Sequence, residues 1–148
     1  MDNNQERPKL GEFRILRREG ALSRLVVVNT LQNPYLPKSN IMLVTNEVEY
    51  GTDDDILIDP EDSGLAYPVL IETGIVAPVW NRHLDEPLGR LAAKHFGILD
   101  PINPDFSSID DLHRGLQYSG PSDTRIAWRT REMIDLQPLH ALGEGIED

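Results

Sequence analysis

Arg24-Leu25-Val26-Val27-Val28-Asn29 (RLVVVN) and Asn40-Ile41-Met42-Leu43-Val44-Thr45 (NIMLVT) are the two stretches that decide how this 148-residue chain folds. Leu25 to Val28 form an unbroken apolar run rich in β-branched side chains. It is too short for a buried helix, so it reads as a central strand covered on both faces. NIMLVT is a second strand, and LQNPYLPKSN before it, with Asn33, Pro34, Pro37 and Asn40, is a loop. Upstream, GEFRIL (residues 11–16) alternates, with Phe13 and Ile15 on one side and Glu12 and Arg14 on the other. That is the pattern of a half-buried strand, followed by a turn around Gly20.

Downstream, an acidic turn (Asp53, Asp54, Asp55) leads into a short ILI strand, and a second turn ends in Ser63 and Gly64. YPVLIE and GIVAPVW read as two further strands, the second placed at an edge or bulged by Pro78. In LDEPLGRLAAKHF, Leu84, Leu88, Leu91 and Ala92 stand at helical spacing. Asp85 suits the N-cap, Pro87 the first turn and Gly97 the stop, which predicts a short helix. Glu86 and Arg90 would then form an i,i+4 pair. Five to seven short, mostly antiparallel strands closed by one short helix make a mainly β small barrel.

Residues 1–9 are polar and expected to be disordered, residues 10–99 form the barrel, and residues 100–148 are a C-terminal extension with one or two helices. In the extension, DPINPDFSS is a linker. SSIDDLHRGLQY fits a helix, with Ser107–Asp110 or Ser108–Asp111 at capping spacing and Ile109, Leu112 and Leu116 on one face. TRIAWRTREMIDLQPLHAL fits strand or helix: TRIAW alternates, whereas Ile126, Met133 and Ile134 could line a helix. Ile109, Leu112, Leu116 and the Trp128 region are what can anchor the extension to the barrel or to a partner.

The chain has 25 acidic and 14 basic side chains, for a formal net charge of -11. The excess is -5 over residues 1–99 and -6 over residues 100–148, so it is twice as dense in the extension. The overall field therefore does not draw the protein to a phosphate backbone, and any nucleic-acid groove must be local. The absence of cysteine excludes disulfides and thiolate metal sites. The polar N-terminus and short apolar runs give no signal peptide and no membrane segment, so a cytoplasmic location is expected.

No metal site and no cofactor are expected. Asp53–Asp55 and DPEDSG lack the ligand spacing of a calcium loop, and His83, His95, His113 and His140 are too scattered for zinc. No phosphate-binding glycine motif and no nucleophile elbow occur.

Arg24 opens one strand and Thr45 closes another. If the two strands are neighbours, a guanidinium and a hydroxyl converge at one rim. That pair suffices to neutralise and orient a phosphate under attack by a neighbouring 2′-hydroxyl, without a metal.

The order of these segments resembles the toxin superfamily that includes MazF, PemK and Kid, with the gyrase poison CcdB as a relation, over about residues 9–96. GEFRIL resembles the opening G-[DE] strand. RLVVVN is similar to the R-P-x-V-V-V strand, with Leu25 in place of the proline. NIMLVT is similar to the segment ending in P-[LCI]-T, with Val44 before Thr45. DSGLAYPVLIETGIVAPVW and NRHLDEPLGRLA resemble the turn, the paired strands and the start of the closing helix.

The resemblance implies an SH3-like barrel, a homodimer and an antitoxin protein as partner. In the MazF branch it implies a metal-independent endoribonuclease acting on single-stranded RNA and leaving a cyclic phosphate. The catalytic arginine then falls on Arg24 and the catalytic threonine on Thr45. Arg14, Arg17, Arg18 and Lys38 remain as substrate-binding basic residues. LDEPLGRLA also resembles the CcdB branch, which implies instead a non-catalytic module binding DNA gyrase or another protein. An inactive structural or regulatory barrel is the third reading.

Neither branch accounts for residues 100–148. Extra packed elements, an arm over a groove, and a segment with its own target are all open. As an arm, the extension could fill a basic groove in the manner of a built-in antitoxin. The ribonuclease reading requires Arg24 and Thr45 to face one open groove.

Overall fold

The computed structural model describes residues 8–17, 23–29, 37–47, 55–100, 102–110, 113, 125–132 and 134. Six strands form one sheet: β1 (Glu12–Leu16), β2 (Arg24–Val28), β3 (Lys38–Thr45), β4 (Asp55–Ile58), β5 (Val69–Trp80) and β6 (Gly89–Arg90). Their order across the sheet is β4-β5-β3-β2-β1-β6, and every pairing is antiparallel. The fold is a mainly β, curled sheet of the small SH3-like barrel type, with short helices added to it.

The continuous apolar run of β2 is explained by its neighbours. It lies between β1 and β3, and Val26, Val27 and Val28 are inaccessible to solvent. Phe13, Val27, Met42, Val44, Ile56, Val69 and Ile71 build a core on one face of the sheet. Leu16, Val26, Ile41, Leu43, Ile75, Ala77, Val79 and Leu84 build a second core on the other. With both faces covered, β1 is not half-exposed as its alternation predicts. Arg14 is buried at 4% exposure, held by the Glu12 carboxylate and donating 2.8 Å to the Asp85 carbonyl.

YPVLIE and GIVAPVW are parts of one strand, not two. β5 runs unbroken from Val69 to Trp80, and the register against β3 shifts between Met42 and Leu43. Residues 73–75 form the extra length on β5, which lets one strand pair along all of β3 while bending. Pro78 faces Asn40 of β3, beyond the last β4 pairing at Glu72. Its missing N–H therefore faces no strand among the described residues.

The turn predicted at Ser63 and Gly64 closes a short helix, α1 (Pro60–Ser63), whose C-cap Gly64 has φ 74, a left-handed conformation that glycine adopts without strain.

The helix predicted from LDEPLGRLAAKHF does not form. Leu84 makes a bridge to Leu16, Gly89–Arg90 is β6, and residues Ala93–Leu99 wind as a 3-10 helix running through Gly97. The backbone N–H groups of Leu88 and Leu91 donate to the Phe13 and Gly11 carbonyls, so pairing with β1 outcompetes a helix. Glu86 and Arg90 consequently do not stack one turn apart. Arg90 donates to the Leu10 carbonyl and lies over the Phe96 ring.

In the extension, residues 107–109 form a turn and residue 113 is 3-10 helical; the rest of the helix expected over SSIDDLHRGLQY lies outside the described residues. Leu112 and Leu116 lie outside the described residues. The ambiguous segment is a helix, α2, over residues 125–132. Its buried side chain is Trp128 at 3% exposure, while Ile134, expected to line the helix, is 61% exposed. Among the described residues no helix is long and apolar enough to cross a membrane.

Candidate functional site

Arg24 and Thr45 do come to one end of adjacent strands. β2 and β3 pair through Val26–Leu43, Val27–Met42 and Val28–Ile41. Continuing that register by two residues sets Arg24 across from Thr45. Both lie on the face of Val26, Leu43 and Ile41, because alternate residues share a face.

The same face carries two carboxyls from neighbouring strands. Glu72 of β5 pairs with Leu43 of β3 on one side and with Asp55 of β4 on the other. Arg24 Nη2 stands 3.6 Å from Glu72 Oε2.

The groove at this end is not open. α2 lies over it, and Glu132 takes the Arg24 guanidinium in a two-pronged contact of 2.9 and 2.8 Å, leaving the arginine side chain 16% exposed. One turn earlier, Arg129 donates 2.7 Å to Asp55 and stands 3.7 Å from Glu72. Trp128 packs beside them and donates its indole N–H to Glu47, 3.1 Å away. The Thr45 hydroxyl accepts the backbone N–H of Glu47. Glu47, Trp128, Arg131, Glu132 and Ile134 border an adjoining cavity of about 310 Å³.

Glu72 is the unusual member of this cluster. Its side chain is fully buried, and among the described residues no donor satisfies either carboxyl oxygen. Burial pushes its pKa up to about 10. A hydrogen bond to Glu132, which only the protonated acid can donate, adds to the rise, as do the charges of Glu132 and Asp55; the Arg24 charge opposes it. At neutral pH Glu72 is therefore a neutral acid. The charges of Asp55 and Glu132 are then matched by those of Arg24 and Arg129. Sequence reading flagged neither Glu72 nor Glu132. The signal for Glu72 was a carboxyl closing an otherwise apolar strand segment, YPVLIE.

The remaining basic residues do not gather at Arg24. Arg14 is consumed by Glu12 and Asp85, as described above. Arg17 pairs with the Asp85 carboxylate and donates to the Arg82 carbonyl. Lys38 stacks its ammonium on the Trp80 ring, 4.5 Å from the centroid, at the opposite end of β3 from Thr45. Arg18 lies outside the described residues. Among the described residues no group of three or more histidine, aspartate or glutamate side chains is placed to hold a metal ion.

A second polar cluster ties residues 102–113 to the barrel. His95 bridges Ser108 (2.8 Å) and Asp62 (3.3 Å). His113, isolated in the sequence, reaches Asp59 at 2.7 Å and also contacts Asp110. Its hydrogen bonds to Asp110 and Asp59 raise its pKa above the usual 6.5. Because the raised value belongs to the folded state, this clasp contributes fully below pH 6.5 and is lost as pH rises through the folded pKa. An NMR titration should give a His113 midpoint above 6.5 in the wild type and one near 6.5 in Asp110→Asn/Asp59→Asn.

No protein-family model matches the chain, and no curated protein sequence is significantly similar to it.

Proposed function

We propose that the barrel is a toxin-type, metal-independent endoribonuclease acting on single-stranded RNA, cytoplasmic and controlled by an antitoxin protein, with a homodimer as the working form. One observation carries the reading: Arg24 and Thr45 lie at the same end of the adjacent strands β2 and β3, on one face. The reaction requires α2, which covers that end, to lift. In the reaction, a 2′-hydroxyl loses its proton to solvent water as its oxygen attacks the adjacent phosphorus. The bond from phosphorus to the 5′-oxygen of the next nucleotide breaks, that oxygen takes a proton from water, and a 2′,3′-cyclic phosphate remains. Arg24 neutralises charge growing on the phosphoryl oxygens, and the Thr45 hydroxyl donates a hydrogen bond to one of them.

The test is cleavage of a single-stranded RNA in the presence of a chelator, with the cyclic phosphate identified by mass. The expected result is slow cleavage by the wild type and by Arg24→Lys at a lower rate, and none by Arg24→Ala with its thermal transition preserved. Undiminished cleavage by Arg24→Ala would remove the assignment.

A second reading, a non-catalytic protein-binding barrel, is favoured by the engagement of Arg24 with Glu132 and of Thr45 with its own turn. On that reading Arg24 anchors α2 and nothing else, and no variant of the chain cleaves RNA, including those in which α2 is released.

A further inference from the structure

We propose that α2 is an internal, displaceable ligand of the Arg24 site, its Glu132 carboxylate occupying the guanidinium where a phosphodiester of single-stranded RNA would otherwise sit. The ribonuclease reading supplies the identity of the outside ligand; the internal one follows from geometry alone.

The carboxylate of Glu132 is chemically equivalent to a phosphodiester as a guanidinium ligand. A carboxylate that meets a guanidinium through two oxygens at 2.9 and 2.8 Å reproduces the fork by which the same guanidinium receives two phosphate oxygens. The two occupants cannot share Arg24, which is 16% exposed beneath α2.

The described contacts of α2 with the sheet are mostly polar. Among its described residues Trp128 is the one fully buried apolar side chain, with Ile126 half-buried and Ile134 largely in solvent. Charge pairs from Glu132 to Arg24 and from Arg129 to Asp55, and the Trp128–Glu47 hydrogen bond, join it to the barrel. A helix seated through polar pairs around one tryptophan opens at lower cost than the strands whose side chains form the cores.

The barrel gives up something to be covered. Asp55, Glu72 and Arg24 form a polar patch on an otherwise apolar face. Under α2, Glu72 is fully buried with no donor to it among the described residues, and burial favours its protonated form. Lifting α2 returns Glu72 to water and frees Arg24 together. The pattern on α2, Arg129 over Asp55 and Glu132 over Arg24, is charge-complementary to that patch position by position. That is how a dedicated occupant is built, as opposed to an apolar helix covering a core.

The experiment uses the full chain, with hydrogen exchange read by mass spectrometry and an uncleavable single-stranded 2′-O-methyl oligonucleotide as the probe. Glu132→Gln should speed exchange at least tenfold in peptides covering residues 125–132 and leave β2, β3 and β5 unchanged. The same variant should bind the oligonucleotide at least tenfold more tightly than the wild type, and adding Arg24→Gln should cancel that gain. Saturating the wild type with oligonucleotide should also speed exchange in α2, the reverse of the protection a bound ligand usually confers. Glu132→Asp, which keeps the charge on a shorter arm, should fall between wild type and Glu132→Gln. It carries the test should the latter fold poorly.

Oligonucleotide bound to the wild type with α2 exchange unchanged or slowed overturns the proposal, as does unaltered α2 exchange in both Glu132 variants. Fast α2 exchange in Glu132→Gln without oligonucleotide binding to any variant upholds α2 as the displaceable occupant. It removes RNA as the competing ligand, and the ribonuclease reading falls with it.

Discussion

Replacing Glu72 with glutamine is expected to stabilise the protein by about 3 kcal/mol at pH 7. In the unfolded chain this carboxyl ionises around 4.5, whereas in the folded state it holds its proton up to about 10. Between those values the folded state binds the extra proton, so stability falls as pH rises through the window and is fully present below it. At pH 7 the distance from 4.5 corresponds to roughly 3 kcal/mol at ~1.4 kcal/mol per pKa unit. Glutamine has nearly the same shape and carries no charge. Its amide can donate to a carboxyl oxygen of Glu132 or Asp55.

The measurement is urea unfolding of both proteins at pH 5, 7 and 9. The difference should be small at pH 5 and should grow steadily to pH 9. Taking the difference cancels His113, whose clasp also weakens with rising pH in both proteins. A constant or vanishing difference across the three pH values would show that Glu72 is ionised and solvated in the folded state. At alkaline pH the wild type should release α2 before the sheet unfolds, because freeing that helix alone relieves the carboxyl.

Gly89→Ala is expected to cost about 3 kcal/mol, lowering the melting temperature by roughly 6–12 °C. Gly89 opens β6, pairs with Phe13 of β1, and runs directly against the end of α1. A Cβ at this position would overlap the Ser63 carbonyl oxygen and lie 3.2 Å from the Gly64 carbonyl carbon. Both neighbours are backbone, so no side-chain rotation makes room. Either β6 or α1 must move. Moving α1 pulls on Leu65, whose side chain belongs to the first core, and moving β6 breaks its pairing with β1.

Gly64→Ala provides the scale. Its strain is conformational, from φ 74, and its nearest new contact is an ordinary 3.5 Å, so about 1 kcal/mol is expected. Thermal melts of the two variants should therefore rank Gly89→Ala well below Gly64→Ala. An equal or inverted ranking would mean that the crossing of α1 and β6 yields easily.

The parts of the fold that were legible in the sequence are those with a local cause. RLVVVN had to be central because four consecutive apolar side chains need cover on both faces. Ser63 and Gly64 announced a turn because only glycine rests easily where the C-cap places it. Three readings failed because a distant contact decided them. Leu84, Leu88 and Leu91 kept helical spacing, but hydrogen bonds from Leu88 and Leu91 to β1 carbonyls claimed that backbone, and Leu88 is left 52% exposed. YPVLIE and GIVAPVW read as two strands, whereas the residues between them fall in the bulge of one. Arg14 read as solvent-facing because nothing near it in sequence revealed that Asp85 would supply a carbonyl.

The candidate site shows the same division. That Arg24 and Thr45 would come to one end of the sheet followed from two strand assignments and the condition that the strands be neighbours, which they are. That Glu132 would close on Arg24 could not follow, since the residues are 108 apart and the segment between carries no spacing rule that links them. Glu72 was hidden for a different reason. A carboxyl at the end of VLIE is ordinary on an exposed face, and only the strand order, with β4 beyond β5, shows that its face is covered.

The proton on Glu72 also makes burial of this face a chemical reaction with solvent. Each time α2 seats over the sheet, one hydrogen ion is taken from the buffer; each time it lifts near neutrality, one is given back. Heats of unfolding of the wild type and of Glu72→Gln, measured at one pH in buffers of different ionisation enthalpy, should then differ in their buffer dependence by the amount for a single proton. His113 gives back its own proton in both proteins and leaves a shared remainder.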